Sequence, residues 1–401
     1  MTYSILFSSH RLLKVLYVIA IAAIVIAILN PRLAASWFRE IERWFRRIAA
    51  NPGKAILTAA AFPMAVRFLM LPWYPPPLPQ IHDEFSYLLQ GDTFAHGRVT
   101  NPTPPYWQHF QTEYVLLQPT YASQYQPAQG LILALGEVVF GHPWWGVWIS
   151  IGLMCAALCW GLRQIVPPVW ALAGALGAGL QFGIFGLWMN SYFGGGISAA
   201  AGALVFGSLI RMKNPRHTRA AAAVCALGII LIFATRPFEA LLWCGVALWY
   251  TVFHFMRGRP AGSALAWAGM LVPFALVFAA GAASLAWYNW RITGSPANPP
   301  YLEYRRVYGT PQPYWWQPPV TVEHFDYPEL RDNYLNQVRL YEQRYSLDEM
   351  LASEQKRLSN FWRFFIGPFF TPAVAFLWFA IRDKRIRPWL LASVPFILAK
   401  A

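Results

Sequence analysis

The chain has 401 residues, 57% of them hydrophobic and only 12% charged, with 20 Trp and a net charge of +14. Apolar runs of about 17 to 25 residues recur along it, which excludes a soluble single-core domain and points to an all-α polytopic membrane protein. Backbone in lipid must satisfy its own hydrogen bonds, so spans are helices, and these runs are too long for barrel strands. Cys155, Cys159, Cys225 and Cys244 all fall inside apolar runs and read as small buried hydrophobes, with neither a disulfide framework nor a zinc spacing.

Residues 12–30 form the first predicted span, flanked by Arg11 and Lys14 and followed by Arg32, Arg39, Arg43, Arg46, Arg47 and Lys54. The positive-inside rule puts the richer flank in the cytoplasm and the N-terminus outside. A signal peptide cut near Ala34-Ala35-Ser36 is the rival reading. In residues 32–50, Trp37, Phe38, Trp44 and Phe45 interleave with arginines, the pattern of an amphipathic helix on the inner leaflet. A second span, 55–72, carries Arg67 near its outer end, where a lone charge is costly and is expected to pair with an acid, structurally or catalytically. The polar segment from Trp73 to Pro143 then lies outside. Within it, residues 128–140 are apolar but too short to cross, so they predict an interfacial helix stopped by Gly141-His142-Pro143.

Further spans are predicted at 143–163, 168–188, 196–210, 219–235, 238–257 and 263–287. Gly174, Gly177 and Gly179 sit inside the second of these and suit close helix packing. Basic residues cluster on the inner turns (Arg163; Arg211 to Arg219; Arg257 and Arg259; Arg382 to Arg387), and the predicted inner segments together hold the whole excess of +14. Positive-inside placement accounts for that charge without nucleic acid. Residues 288–361 form a second outer region: an aromatic and proline-rich part (Pro299 to Pro319), a helix from Pro328 to about Tyr345, and a capping-box start at Ser346 and Glu349. A span at 362–381 and a last apolar run follow. That run stops at Ala401 as a cut chain would, so further spans are expected beyond it. The organisation is thus 1–54 (extra span and basic helix), 55–287 (transmembrane core with outer loop 73–142), 288–361 (outer helical loop) and 362–401 (C-terminal spans).

The inner connections carry no phosphate-binding glycine loop and leave no domain for a soluble nucleotide donor, so a lipid-borne or extracytoplasmic substrate is expected. Asp83 and Glu84 open the outer loop just after a span. On a helix beginning near His82 their side chains diverge by about 100°, so one can face a cavity while the other binds backbone or a basic partner. A carboxylate in a partly apolar niche gains the basicity to take a proton from a hydroxyl; acids at a helix N-terminus are the plainer reading. Tyr87 shares a face with Asp83 or with Glu84, at spacings of four and three. His96, Asn101, Tyr106, Trp107, Tyr114, Tyr121 and Tyr125 crowd the same segment, an aromatic and polar mixture suited to sugars. His109 and Glu113, four apart, can hold a divalent cation on one helical face or simply bond to each other. Arg236, with Glu239, sits between two spans at the outer surface, where it can hold a lipid phosphate or merely reach the headgroups. Arg305 and Arg306, among Tyr301, Tyr304 and Tyr308, are further phosphate candidates or solvated charges. The turn Asn190 to Gly196 is a tight connection whose polar residues can line a cavity floor.

His82-Asp83-Glu84-Phe85-Ser86-Tyr87, Thr93-Phe94-Ala95-His96-Gly97-Arg98, Thr100-Asn101-Pro102, Pro119-Thr120-Tyr121-Ala122-Ser123, Asn190-Ser191-Tyr192 and Arg236-Pro237-Phe238-Glu239, in this order of span, loop and spans, resemble the C-type (GT-C) glycosyltransferases, the group of protein O-mannosyltransferases and aminoarabinose transferases, and more locally an uncharacterised bacterial branch of it. The resemblance covers about residues 55–310. It implies a GT-C-like transmembrane helix bundle in the bacterial inner membrane with its active site on the extracytoplasmic side. The implied reaction is an inverting transfer from a polyprenyl-phosphate sugar to a glycan, lipid or protein acceptor, with Asp83 as general base and Glu84 as its supporting or substrate-orienting neighbour. Two features depart from the pattern: an extra first span, and Tyr125-Gln126-Pro127 where relatives often carry a basic or double-proline sequence, which leaves Arg236 as one candidate for the donor phosphate. A transporter or flippase of a lipid-linked saccharide is the alternative class, and a non-catalytic assembly subunit a third.

Overall fold

The alternation of long apolar runs with proline and glycine punctuation becomes a chain of helices. The computed structural model describes residues 10–30, 32–33, 35–258, 264–309, 317–343, 346–374, 377–391 and 393. The last apolar run beyond these residues, and residues 310–316 of the proline-rich stretch, lie outside them. Helix α1 (His10–Leu29) is followed by α2 (Ala35–Ala50) and α3 (Pro52–Leu69), the last capped by Asn51, whose side chain accepts from the Lys54 amide at 3.0 Å. The polar segment that follows holds α4 (His82–Ala95), a four-residue 3-10 turn (Trp107–Phe110), the short strands β1 (Val115–Leu116) and β2 (Ala122–Ser123), and α5 (Pro127–Phe140). The strands pair antiparallel, Val115 with Ser123 and Leu116 with Ala122.

Proline at the first turn and glycine past the last frame α5: Pro127 needs no amide partner, and Gly141 adopts φ +74°. Helix α6 (Trp144–Leu162) then returns against α5. A Cβ on Gly146 would stand 1.8 Å from the Ile132 carbonyl oxygen, and one on Gly136 2.2 Å from the Gly146 nitrogen, so the hairpin closes backbone to backbone. Helix α6 is the hub of the first half, packing on α3, α5, α7 (Pro168–Ala178) and α8 (Gly195–Arg211). Trp144, Ile151, Met154, Cys155 and Leu172 fill that core. A second core joins α8 to α9 (Thr218–Phe233), α10 (Pro237–Gly258) and α11 (Ala264–Thr293) through Val205, Leu209, Cys225, Ile229 and Met270. Cys155, Cys159 and Cys225 are buried as expected while Cys244 is only partly so, and the glycine contacts agree with a packing role: Gly179 meets Pro63 and Cys155, and Gly177 meets Phe370.

Helix α12 (Pro300–Tyr308), then α13 (Pro328–Glu342) and α14 (Leu347–Phe361), build the second polar region, which shares a third core with the first: Leu116 and Ala122 pack with Tyr288, Ile292, Tyr304, Tyr308 and Leu330. Helices α15 (Gly367–Val374) and α16 (Leu377–Arg382) follow.

The all-α class holds, and several finer expectations are corrected. Two helices among the described residues are long and apolar enough to cross a membrane, Trp144–Leu162 and Ala268–Thr293; the span expected at 55–72 is the 18-residue α3, which is not one of the two, and the other expected spans come as shorter apolar helices or as broken ones. The run at 168–188 passes into a π-turn at Gly179–Ile184 and stops, and the run at 362–381 starts as a π-turn at Trp362–Ile366, is interrupted at Gly367 (φ +54°) and continues as α15, which carries Pro372 inside it. The two π-turns meet where Gln181 Nε2 donates to the Phe364 carbonyl at 3.0 Å, supplying a partner that the irregular helix lacks. Helix α11 runs to Thr293, beyond the expected end at 287, and α12 lies in a stretch that composition alone left irregular. Ser346 does precede α14, but its side chain makes no capping bond. Among the described residues no acid pairs with Arg67: it donates to the carbonyls of Tyr74 (2.6 Å) and Pro75 (3.2 Å) and lies 4.9 Å from the centroid of the Trp144 ring. Prolines 75–77 keep the backbone out of a helix there, so carbonyls stay available to a guanidinium.

Candidate active site

Helix α4 begins without a side-chain cap, its first turn holding Asp83 and Glu84, where negative charge is favourable. The divergence expected of adjacent helical residues then separates them. Glu84 turns inward, 1% exposed, and accepts two backbone amides, from Gln80 at 2.9 Å and from Tyr192 at 3.0 Å. The Tyr192 hydroxyl in turn donates to the Pro77 carbonyl at 2.9 Å, so the turn after α7 is bolted to the entry of α4. Asp83 is half-buried, and its Oδ1 accepts the hydroxyl of Tyr125. Burial holds the Asp83 pKa above the ordinary carboxylate range; the Tyr125 hydrogen bond and the charges of His82 and Arg236 pull the other way without cancelling it.

A tyrosine wall surrounds that carboxylate. Tyr87, one turn along α4, stacks on Tyr125 with ring centroids 4.1 Å apart and planes 17° off parallel, and Phe193 meets Tyr87 edge-on at 6.2 Å. Tyr114 lies 6.4 Å from Tyr125 and 6.0 Å from Tyr304 of α12. Burial pushes the hydroxyls of Tyr87 and Tyr125 well up and that of Tyr114 to about 12, with the Asp83 charge adding to each, so all three keep their protons at neutral pH. Beneath the wall runs a hydrogen-bond network. Gln90 Nε2 donates to the Tyr125 carbonyl (2.8 Å) and to the Tyr288 hydroxyl (2.7 Å), which itself donates to the same carbonyl (2.8 Å). Ser86 Oγ donates to the Tyr114 carbonyl at 2.7 Å and bonds to Ser123 Oγ at 2.7 Å.

Two arginines flank this group. Arg236 pairs with Glu239 at 3.4 Å, and its charge acts on both Asp83 and Tyr87. Arg305, half-buried on α12, donates to the Pro318 carbonyl at 3.0 Å and acts on Tyr301, whose hydroxyl burial drives up. Arg306 stands apart from both: it is exposed and tied to Glu303 at 2.5 Å, a bond that holds the Glu303 carboxyl below its ordinary range.

Three further expected members are not brought in. His109 is exposed on the 3-10 turn, because Tyr106 (φ 55°) and the extended Gln111 limit that turn to four residues and no helical face joins His109 to Glu113. Glu113 instead faces His82 at 3.2 Å. Tyr121 bridges by its backbone to Asn101, and its hydroxyl lies under the influence of Asp92, far along α4 from Asp83. Among the described residues no group of three His, Cys, Asp or Glu is placed to hold a metal ion. Conversely, sequence reasoning passed over Gln90 and Tyr288. Ser86 and Gln90, four apart on α4, are a polar pair on a buried face, and that spacing is the signal that marks them.

Compared with protein-family models, with curated proteins and with solved structures, the chain has no match.

Proposed function

We propose that this chain is an integral-membrane glycosyltransferase of the bacterial inner membrane, working on the extracytoplasmic side with a polyprenyl-phosphate-linked sugar as donor and a glycan, lipid or protein as acceptor. The observation that carries this reading is Asp83: a carboxylate whose burial raises its basicity, set in a wall of neutral tyrosines at the junction of the two polar regions, with Arg236 close enough to act on its charge. The exposed apolar surface of the helices supports a lipid environment, for Val18, Ile28, Leu29, Leu271, Val272 and Leu276 all face outward.

In this mechanism Asp83 accepts the proton of an acceptor hydroxyl while that oxygen forms its bond to the anomeric carbon. The bond from the anomeric carbon to the phosphate oxygen breaks on the opposite face, the leaving polyprenyl phosphate takes the electron pair, and the configuration inverts. Arg236 is the cation for the phosphate, with Arg305 as the second candidate, and Tyr114, set against the wall rather than stacked in it, is the ring for a sugar, since Tyr87 is stacked on Tyr125. Glu84 keeps the entry of α4 in place. In protein verified as folded, Asp83→Asn is expected to cut transfer from a polyprenyl-phosphate sugar by at least about a hundredfold; transfer at the wild-type rate would remove Asp83 as the base.

A transporter of lipid-linked saccharide draws on one observation, the helix interruptions at Gly179–Ile184 and Trp362–Ile366. Flux in proteoliposomes without covalent transfer would be its signature.

A further inference from the structure

Tyr125 has an unusual set of restraints for a residue on a loop. Its carbonyl is clamped by two donors from different helices, Gln90 Nε2 of α4 and the Tyr288 hydroxyl of α11, each at 2.8 Å. Its amide donates to Ser123 Oγ at 3.1 Å, and its ring lies flat on Tyr87 at 4.1 Å. Backbone, carbonyl and ring are therefore all fixed before the hydroxyl is considered, and that hydroxyl ends on Asp83 Oδ1. A side chain held so firmly delivers its donor to one point, which is the requirement for orienting a carboxylate.

We propose that Tyr125 is a positioning residue for Asp83: its hydroxyl holds Oδ1, fixes the plane of the carboxylate and leaves Oδ2 as the oxygen that receives the acceptor proton. This rests on the reading of Asp83 as general base. The groups around Asp83 assign the tuning to Tyr125. On α4, His82 is exposed and engaged with Glu113, Glu84 is turned away onto amides, and Tyr87 stacks on Tyr125. From other segments come Tyr114, Arg236 and, beyond Arg236, its partner Glu239. Among the described residues, Tyr125 supplies the hydrogen bond to the Asp83 side chain from another segment, and it is the strongest influence opposing burial. The hydroxyl does not compete for the proton, because burial keeps Tyr125 protonated. It donates to the charged carboxylate and so restrains a basicity that burial alone would drive higher.

The test is Tyr125→Phe, which keeps the ring and removes the donor. Asp83 protonation is read directly by modifying the purified protein with dicyclohexylcarbodiimide, which attacks protonated carboxyls, across a pH series, and quantifying the Asp83 peptide by mass spectrometry. The midpoint should move upward by about one pH unit or more, and the acidic limb of the transfer-rate profile should move with it. Tyr288→Phe, which takes away one of the two clamps, should shift the midpoint in the same direction by less. A midpoint unchanged in both variants, in protein that unfolds at the wild-type temperature, would overturn the proposal. The two readings fail separately. A shifted modification profile with a fully active Asp83→Asn would sink the general-base assignment while leaving the hold of Tyr125 on Asp83 intact; an unshifted profile with an inactive Asp83→Asn would do the reverse.

Discussion

At the scale of single residues, adjacent acids have separate tasks because a helix turns about 100° per residue. Glu84 ends on two amides and Asp83 on a tyrosine, and the consequences of removing each differ. Glu84→Ala leaves the Gln80 and Tyr192 amides without an acceptor and should cost about 1–3 kcal/mol per stranded group, measured by chemical denaturation in detergent; a loss of turnover at unchanged stability would instead put Glu84 in the chemistry. Arg67→Lys should lower the unfolding temperature, since an ammonium cannot span the two carbonyls that the guanidinium fork holds. The divergence of Asp83 and Glu84 was legible in the sequence, being a property of any helix. The partner of Arg67 was not, because a backbone carbonyl leaves no mark on a sequence and a search for acids could not find it.

At the scale of elements, proline and glycine punctuation marked the end of α5 and the start of α13: α5 stops at Gly141 and α13 begins at Pro328, as expected. The same signals at Pro299-Pro300 and Gly309 frame α12, where the density of prolines and aromatics hid them. Interruptions were harder to read. A π-turn keeps the composition of the helix it breaks, so the runs at 168–188 and 362–381 look continuous in sequence. The α5–α6 hairpin gives a sharp stability test: Gly146→Ala drives a methyl into the Ile132 carbonyl and should destabilise by about 1–3 kcal/mol, whereas Gly245→Ala, with nothing within 4 Å, should be neutral or stabilising by about 1 kcal/mol or less. Helix α2 divides its apolar side in two. Phe45, Ile48 and Ala49 pack on the core, while Trp37, Phe38, Ile41 and Trp44 are exposed. Under the membrane reading this half lies on lipid, and quenching of a fluorophore at Ser36→Cys by a lipid-borne quencher should drop when Trp37 and Trp44 are replaced by serine.

At the scale of the whole molecule, charge and burial bear on one picture from different directions. The basic excess falls on the segments predicted to be inside, and the tyrosine wall is built from the segments predicted to be outside. Impermeant thiol reagents applied from outside should therefore label a cysteine placed at Asn101 and spare one at Asn214; the opposite pattern would invert the topology. By itself the sequence determined the all-α class, most helix starts and the first turn of α4, because periodicity, prolines and neighbouring residues act locally. It singled out Asp83 for the same reason. Only the tertiary structure decided which tyrosine answers Asp83. Tyr125 stands 42 residues away and is held by Gln90 and by Tyr288, itself 163 residues further on. Contacts that distant are chosen by the packing of helices against one another, which no local pattern encodes.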